Sequence, residues 1–149
     1  MNVANRQISK QRLRLWLRML SAQRGIETHL REQMRLRHDS TLPRFDVMSA
    51  LDRFRDGLRM SDLSARLRVS NGNVTGIVER LVGEGLVERT AVDGDRRAMR
   101  VRLTPEGIAR FAEMAAEHET WVDAKLAAFS AAELDTLIKL LDRIGDHPE

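Results

Sequence analysis

The chain has 149 residues, of which 42% are hydrophobic and 32% are charged. These values fit one globular, helix-rich domain, or one domain with an extension for dimerisation, and exclude a disordered chain. No apolar run approaches the roughly 18 residues of a membrane span, and the polar segment 1–10 lacks the apolar core of a secretory signal. The absence of cysteine excludes disulfides and zinc–thiolate sites. We therefore expect a cytoplasmic protein.

The net charge of +3 is unevenly distributed along the chain. Residues 1–37 carry +7 and residues 53–110 carry +4, whereas residues 38–52 carry −2 and residues 111–149 carry −6. Basic regions attract the phosphate backbone of nucleic acids and provide affinity without sequence information. Nearly all of the basic residues are arginine, which forms bidentate contacts with phosphate. A GC-rich genome would produce the same arginine excess.

Helical spacing of apolar residues predicts one long helix over residues 8–37. Its first half is apolar on the face of Leu13 and Leu17, and its second half is basic on the same face. This face either lines a pocket for an apolar group with an anionic tail, or packs on a partner helix and then emerges into solvent. The basic residues of this face are Arg24, Arg31 and Arg35.

After a short linker, Pro43 marks the start of a second helix, predicted over residues 43–55 and ended by Gly57. A third, short helix is predicted from Met60 to Leu67. Leu63 and Leu67 are its expected core contacts.

A fourth helix is predicted to open on Ser70, whose side chain suits the N-cap position. Val74, Ile77, Val78 and Leu81 form its apolar stripe. The other positions carry small amides, hydroxyls and a glycine, which suit the major groove of DNA, because asparagine pairs with adenine edges and hydroxyls reach phosphates. The predicted DNA contacts of this helix are Ser70, Asn71, Gly72, Asn73, Thr75 and Arg80.

A β-hairpin is predicted next, since Met99, Val101 and Leu103 alternate with Arg100 and Arg102 as in a half-buried strand. Its polar tip carries further predicted DNA contacts, because an arginine-bearing loop beside a recognition helix can enter the adjacent minor groove. These contacts are Asp95, Arg96 and Arg97.

Two helices are predicted after the hairpin. Thr104-Pro105-Glu106 is a strong start for a helix that runs to about Leu126, and Ser130-Ala-Ala-Glu133 is a capping box that opens the last helix. Much of the apolar surface of the terminal helices has no DNA-reading pattern, so we assign it to a two-fold dimer that reads two half-sites. A monomeric helical core is the alternative. The assigned residues are Leu13–Leu20, Leu126, Phe129 and Leu134–Ile144.

The run from Met60 to Gly107 resembles the winged helix-turn-helix of the MarR (multiple-antibiotic-resistance regulator) family. The resemblance implies a mainly α fold with a small β-hairpin wing, in which Arg97 is the minor-groove residue and Asp95 orients it. Residues 41–104 would form the winged helix-turn-helix domain, and residues 1–40 with 105–149 the helical dimerisation region. The motifs that carry the resemblance are Val69-Ser70…Val74-Thr75…Leu81, Gly85-Leu86-Val87…Arg89, Asp95-Arg96-Arg97 and Val101-x-Leu103-Thr104-x-x-Gly107.

In this family, effectors bind where the dimerisation helices meet the winged domain, which implies a site near Trp16, Met19, Phe45, Met48, Phe111 and Met114. The same residue types are also ordinary core residues. The chain further resembles the branch that governs catabolism of aromatic acids such as hydroxycinnamates, some of whose members respond to the CoA thioester. The candidate phosphate ligands by charge-assisted hydrogen bonds are then Arg24, Arg31, Arg35 and Arg44.

Enzymatic chemistry is not expected, because the four histidines are scattered and show no metal-binding spacing. His118, beside Glu117 and Glu119, is either a metal ligand or a structural residue. No cofactor is predicted. The expected function is a repressor that binds a palindromic double-stranded DNA operator as a homodimer and is released by a small molecule. The alternative is an architectural or constitutively bound DNA protein without an effector pocket.

Overall fold

A computed structural model describes residues 2–67, 71–92 and 94–145, and at residues 71, 72 and 95–97 it describes the backbone alone. Within these residues the fold is mainly helical, with one small antiparallel sheet, as predicted. The elements in chain order are α1 (Val3–His38), α2 (Leu42–Arg53), β1 (Leu58–Arg59), α3 (Met60–Leu67), α4 (Asn71–Gly83), β2 (Val87–Val92), β3 (Asp95–Leu103), α5 (Pro105–Leu126) and α6 (Ala131–Asp142).

Local capping signals set the starts of three helices. The Thr41 side chain accepts a hydrogen bond from the Arg44 amide, and the Thr104 side chain accepts one from the Gly107 amide at 3.0 Å. Ser130 and Glu133 form the predicted capping box in both directions. These starts therefore follow from residues within one turn of each helix.

Helix α2 ends earlier than predicted, at Arg53 rather than at residue 55, because Phe54 leaves the helical conformation. Gly57, with φ +106°, belongs to the turn that follows. This turn leads into β1, which the sequence did not predict. The expected N-cap Ser70 lies outside the described residues, and α4 begins at Asn71.

The sheet has the order β1–β3–β2 and extends the predicted hairpin by one short strand. Leu58 of β1 pairs with Val101, and Val87 of β2 pairs with Leu103, so these side chains share the buried face. Met99 was expected on this face, but 40% of its surface is exposed. Met99 lies farther toward the hairpin tip than Val101 and Leu103, and fewer side chains of the core pack against it there.

The core lies between α2, α3, α4, α5 and the sheet. Leu63 is fully buried there, as predicted, and Leu67 is partly buried. Helix α1 contributes a single fully buried residue, Met34, and α6 buries none, although the structure describes both helices throughout. The terminal helices therefore carry large exposed apolar side chains: Leu13, Leu15, Trp16 and Leu17 on α1, and Leu137, Ile138, Leu140, Leu141 and Ile144 at α6.

Candidate nucleic-acid interface and effector region

Helix α4 is anchored to the core by one face and exposes the other. Val74, Val78 and Leu81 are at most 1% exposed, which fixes the rotation of the helix about its own axis. At its end Gly85 has φ +77°, and the Leu86 amide donates to the Leu81 carbonyl at 3.0 Å. The rotation of α4 and its end point are therefore both determined by contacts within the chain.

Three of the predicted DNA contacts lie on the exposed part of α4: Asn73, Thr75 and Arg80. Asn71 and Gly72 occupy the first turn of the same helix, where the backbone alone is described, and Ser70 lies outside the described residues. Over residues 73–83, where the side chains of α4 are described, no large apolar side chain is exposed, and a polar surface is what a DNA groove accepts.

The hairpin of β2 and β3 projects beyond the core as a wing. Its tip turns at Gly94, with φ +81°, and the strand register is irregular between Ala91 and Val92. Asp95, Arg96 and Arg97 begin β3 at this tip, where the structure describes their backbone alone. The sequence-predicted arginines are thus at the free end of the wing.

Aromatic rings from α2 and α5 form a cluster beneath α1. The Phe45 ring lies 5.3 Å from the Phe111 ring and stacks on His118 at 4.6 Å, measured between ring centroids. Trp121 meets His118 edge-on at 6.4 Å, and His38 lies 6.1 Å from Trp121. Four predicted effector residues, Phe45, Met48, Phe111 and Met114, lie in or beside this cluster, and all four are buried.

Trp16 and Met19 are not buried with that group within one chain. Trp16 is 52% exposed on the N-terminal half of α1, and Met19 is partly buried. Within the single chain, these two residues therefore stand apart from the buried group.

The cluster contains two titratable groups with altered proton affinity. Burial lowers the pKa of His118, and the neighbouring Asp46 carboxylate opposes this shift. Burial raises the pKa of Asp46, and His118 opposes that shift in turn. Each group has lost hydration that its charged form needs, which favours the neutral form of both groups more strongly in the folded protein than in water.

The four predicted phosphate-binding arginines occupy different places. Arg24 is exposed, and Arg31 forms an ion pair with Glu27 at 2.7 Å. Arg31 and Arg35 line a cleft of about 490 Å³ whose other wall includes Asn73 and Ile77 of α4. This cleft therefore joins the C-terminal end of α1 to the recognition helix.

Arg44 lines a separate cleft and is already paired. Its guanidinium donates two hydrogen bonds to the carboxylate of Glu84, and its side chain is only 15% exposed. The hydrogen bond from Arg44 lowers the pKa of Glu84. Glu84 carries no sequence signal as the partner of Arg44, because nothing in the local pattern links two residues 40 positions apart.

Comparison with known proteins identifies the fold. A family model described as MarR family matches residues 38–98. A MarR family transcriptional regulator from Silicibacter pomeroyi is 30% identical in sequence, and its structure superposes with a TM-score of 0.77 over 91% of this chain and 94% of that one. The chain belongs to the MarR family. The mainly α fold with a small β-hairpin wing, expected from the resemblance, is thereby confirmed.

Two further similarities are to a transcriptional regulator and to a protein whose DNA binding is regulated by a small molecule. The HTH-type transcriptional regulator PecS of Dickeya dadantii is 30% identical over 69% of this chain, and the match spans 63% of PecS. The structure of BpsR from Bordetella bronchiseptica, whose DNA binding is regulated by 6-hydroxynicotinic acid, superposes with a TM-score of 0.75 at 23% identity, covering 89% of this chain and 99% of that one. At this identity BpsR shows a shared fold.

Among the described residues of the chain, no helix combines the length and the apolarity needed to cross a membrane.

Proposed function

We propose that this chain is a dimeric repressor that binds a palindromic operator and is released by an aromatic acid or its CoA thioester. The observation that carries the proposal is the orientation of α4. Its apolar face is locked into the core by Val74, Val78 and Leu81, which leaves a polar face outward beside an arginine-tipped wing. This is the arrangement in which a winged helix reads DNA, with α4 in the major groove and Arg97 in the minor groove.

The dimer is supported by the apolar surface at both ends of the chain. Residues 1–40 and 105–149 form the proposed dimerisation region, and residues 41–104 the DNA-binding domain. The side chains of Leu13, Leu17 and Ile138 are each more than half exposed in the single chain. Large apolar side chains that form a continuous exposed patch mark an interaction surface. Pairing these helices with those of a second copy removes this surface from water and sets two recognition helices at a fixed spacing.

The effector proposal has two parts. A flat ring suits the aromatic cluster of Phe45 and His118, near which the family resemblance also puts Trp16. The phosphates of a CoA thioester suit the cleft of Arg31 and Arg35, since guanidinium groups bind phosphate through paired charge-assisted hydrogen bonds. BpsR, regulated by an aromatic acid, provides a precedent on the same fold.

The effector releases the dimer from DNA because it binds one spacing of the two recognition helices more tightly than the other. The Arg31–Arg35 cleft contacts α4 directly through Asn73 and Ile77. An anionic group bound in this cleft would therefore shift the position of α4. It would also repel the phosphate backbone of DNA that lies beside α4.

A mobility-shift titration tests this function, with DNA from the gene's own promoter and with hydroxycinnamate or its CoA thioester added. Release by the thioester at lower concentration than by the free acid supports both parts of the proposal. In Arg31→Ala/Arg35→Ala the advantage of the thioester should disappear. The matched control is Arg53→Ala/Arg55→Ala, which removes two exposed arginines that lie outside this cleft and outside the proposed dimerisation region.

Other outcomes contradict particular parts. Equal release by both compounds would remove the phosphate role of Arg31 and Arg35. DNA binding that neither compound disturbs would favour an architectural protein that acts without this effector class. A failure to bind any promoter fragment would overturn the DNA assignment itself.

A further inference from the structure

The winged sheet has an outer face that the core does not cover. Strand β1 presents Arg59 on this face, because its neighbour Leu58 is buried and successive residues of a strand point to opposite sides. Arg100 of β3 lies directly opposite Arg59 in the antiparallel register, and both residues are exposed. Two guanidinium groups from neighbouring strands therefore stand side by side in solvent. Arg59 and Arg100 are called the arginine pair below.

The arginine pair is unfavourable in the free protein. Residues directly opposite each other in an antiparallel sheet have Cβ atoms about 4.5–5.5 Å apart, and like charges at such positions destabilise the sheet. Within the described part of the chain, neither guanidinium group of the pair forms an ion pair, a hydrogen bond or a ring contact. The repulsion is therefore not offset by any described side chain.

Nearby arginines differ from the arginine pair, because each has a carboxylate partner. Arg102, two residues along β3 and on the same outer face, donates a hydrogen bond to Glu88 at 2.7 Å. Arg55, in the turn before β1, pairs with Asp52 at 3.2 Å. An anion from outside the chain would thus meet uncompensated positive charge at the arginine pair and compensated charge at these neighbours.

The position of the arginine pair along the wing points to the kind of anion. Arg100 follows Arg97 by three residues on β3, which is about 10 Å at about 3.4 Å per residue. The minor groove of B-DNA is about 7.5 Å deep. When Arg97 reaches towards the floor of the groove, Arg100 lies at the level of the sugar-phosphate backbones that border the groove, and not at the level of the bases.

We propose that Arg59 and Arg100 bind the phosphate backbone of the operator beside the minor groove that receives the wing. This inference rests on the proposed function and adds two DNA contacts to it. Phosphate oxygens accept charge-assisted hydrogen bonds from guanidinium groups, and a phosphate between the two arginines removes their mutual repulsion. The contact provides affinity and orients the wing on the duplex, but it reads no bases.

The salt dependence of DNA binding tests the phosphate contact. Each neutralised phosphate contributes about 0.9 to the slope of log affinity against log salt concentration. Because both protomers of a dimer carry the substitution, Arg59→Gln and Arg100→Gln should each reduce the magnitude of this slope by about 1.8. Affinity at ~0.1 M salt should fall about tenfold or more. The loss should be equal for the operator and for unrelated DNA of the same length, since phosphate carries no sequence information.

The melting temperature of the free protein provides a second readout, which does not depend on DNA. Removing either charge of the arginine pair relieves the repulsion across the two strands. Arg59→Gln and Arg100→Gln should therefore melt about 1–3 °C above the unaltered protein, although they bind DNA more weakly. A purely structural role would instead give a lower melting temperature together with weaker DNA binding, and that result overturns the proposal.

Two kinds of control accompany these variants. Arg55→Gln removes the same charge from a paired arginine of the same domain, and it should leave the salt slope unchanged. Arg59→Lys and Arg100→Lys keep the positive charge and should retain the slope of the unaltered protein. Fluorescence anisotropy with a labelled promoter fragment, repeated at several salt concentrations, gives all of these slopes.

The remaining outcomes separate this inference from the function on which it rests. If the unaltered protein binds DNA but Arg59→Gln and Arg100→Gln retain its slope, the inference alone is overturned, and an acidic protein surface becomes the partner to test. A larger loss on the operator than on unrelated DNA, or an equal change of slope in Arg55→Gln, also overturns it. If the unaltered protein binds no DNA, the proposed function fails and the inference fails with it.

Discussion

The imidazole of His118 stacks on the ring of Phe45, with 4.6 Å between centroids and 23° between planes. The contact joins α5 to α2 in the proposed effector region. His118 was considered from sequence as a metal ligand or a structural residue. Among the described residues, no three groups of metal-binding type come together, and the stacked ring accounts for the position of His118.

The burial of His118 makes the stability of the fold depend on pH. Burial lowers the pKa of His118 in the folded protein below its ordinary value of 6.5, so the unfolded chain binds the extra proton first as pH falls. We expect the free energy of unfolding to decrease from pH 7 to pH 5. In His118→Phe, which keeps a ring on Phe45 but cannot titrate, this decrease should be smaller. Urea titrations at both pH values measure it, and an equal decrease in both proteins would contradict the prediction.

Close backbone packing makes Gly107 sensitive to substitution. A Cβ at this position would overlap the carbonyl oxygen of Leu86. We therefore expect Gly107→Ala to destabilise the fold by about 1–3 kcal/mol. Gly83→Ala is the control, because a Cβ at position 83 meets nothing within 4 Å. It should stabilise by about 0.4–1 kcal/mol through the unfolded state. Thermal unfolding of the two variants should therefore shift in opposite directions.

The wing prediction concerns operator affinity. Arg97→Ala should weaken operator binding by about 1–3 kcal/mol, the scale of a good groove contact. Arg102→Ala is the control on the same strand, because Arg102 is paired with Glu88 at 2.7 Å near the base of the wing. Fluorescence anisotropy with a labelled operator gives both affinities. Unchanged binding by Arg97→Ala would place this side chain outside the groove.

The dimer prediction concerns α6. Ile138 is 58% exposed in the single chain, and its replacement by aspartate puts a charge into the proposed interface. We expect Ile138→Asp to weaken self-association by about tenfold or more, since a charge without a partner is costly to bury. Lys139→Asp introduces the same residue on the polar side of the helix. Sedimentation velocity measures the self-association of both variants. If both variants remain dimeric to the same extent as the unaltered protein, α6 is excluded from the interface.

Local signals predicted the helices well, and distant pairings were the part that sequence could not provide. Thr104 and Ser130 act on amides three residues away, so their helix starts are encoded in adjacent residues. Strand β1 is only two residues long and exists because Leu58 pairs with Val101, 43 positions later. No periodic pattern marks so short a strand.

In the candidate sites too, local patterns could be predicted from the sequence, whereas distant pairings could not. The exposed positions of α4 could be predicted, because burial of one helix face determines which residues face outward. The arginines of α1 and α2 were grouped by residue type, yet the tertiary fold separates them. Arg44 is directed to Glu84, whereas Arg31 and Arg35 border the recognition helix. Which carboxylate neutralises which arginine depends on packing across the whole domain.

The length of α1 has a consequence for how the protein behaves on dilution. The helix has 36 residues, about 54 Å, yet every residue from 2 to 18 is exposed in the single chain. Helix propensity alone stabilises such a segment weakly, because most helical stability in proteins comes from the packing of one helix face. Under the proposed assembly, this half of α1 owes its helicity to the second copy. Helix content and melting temperature should then rise with total protein concentration, so that the cellular abundance of the regulator helps to determine how much of it is fully folded.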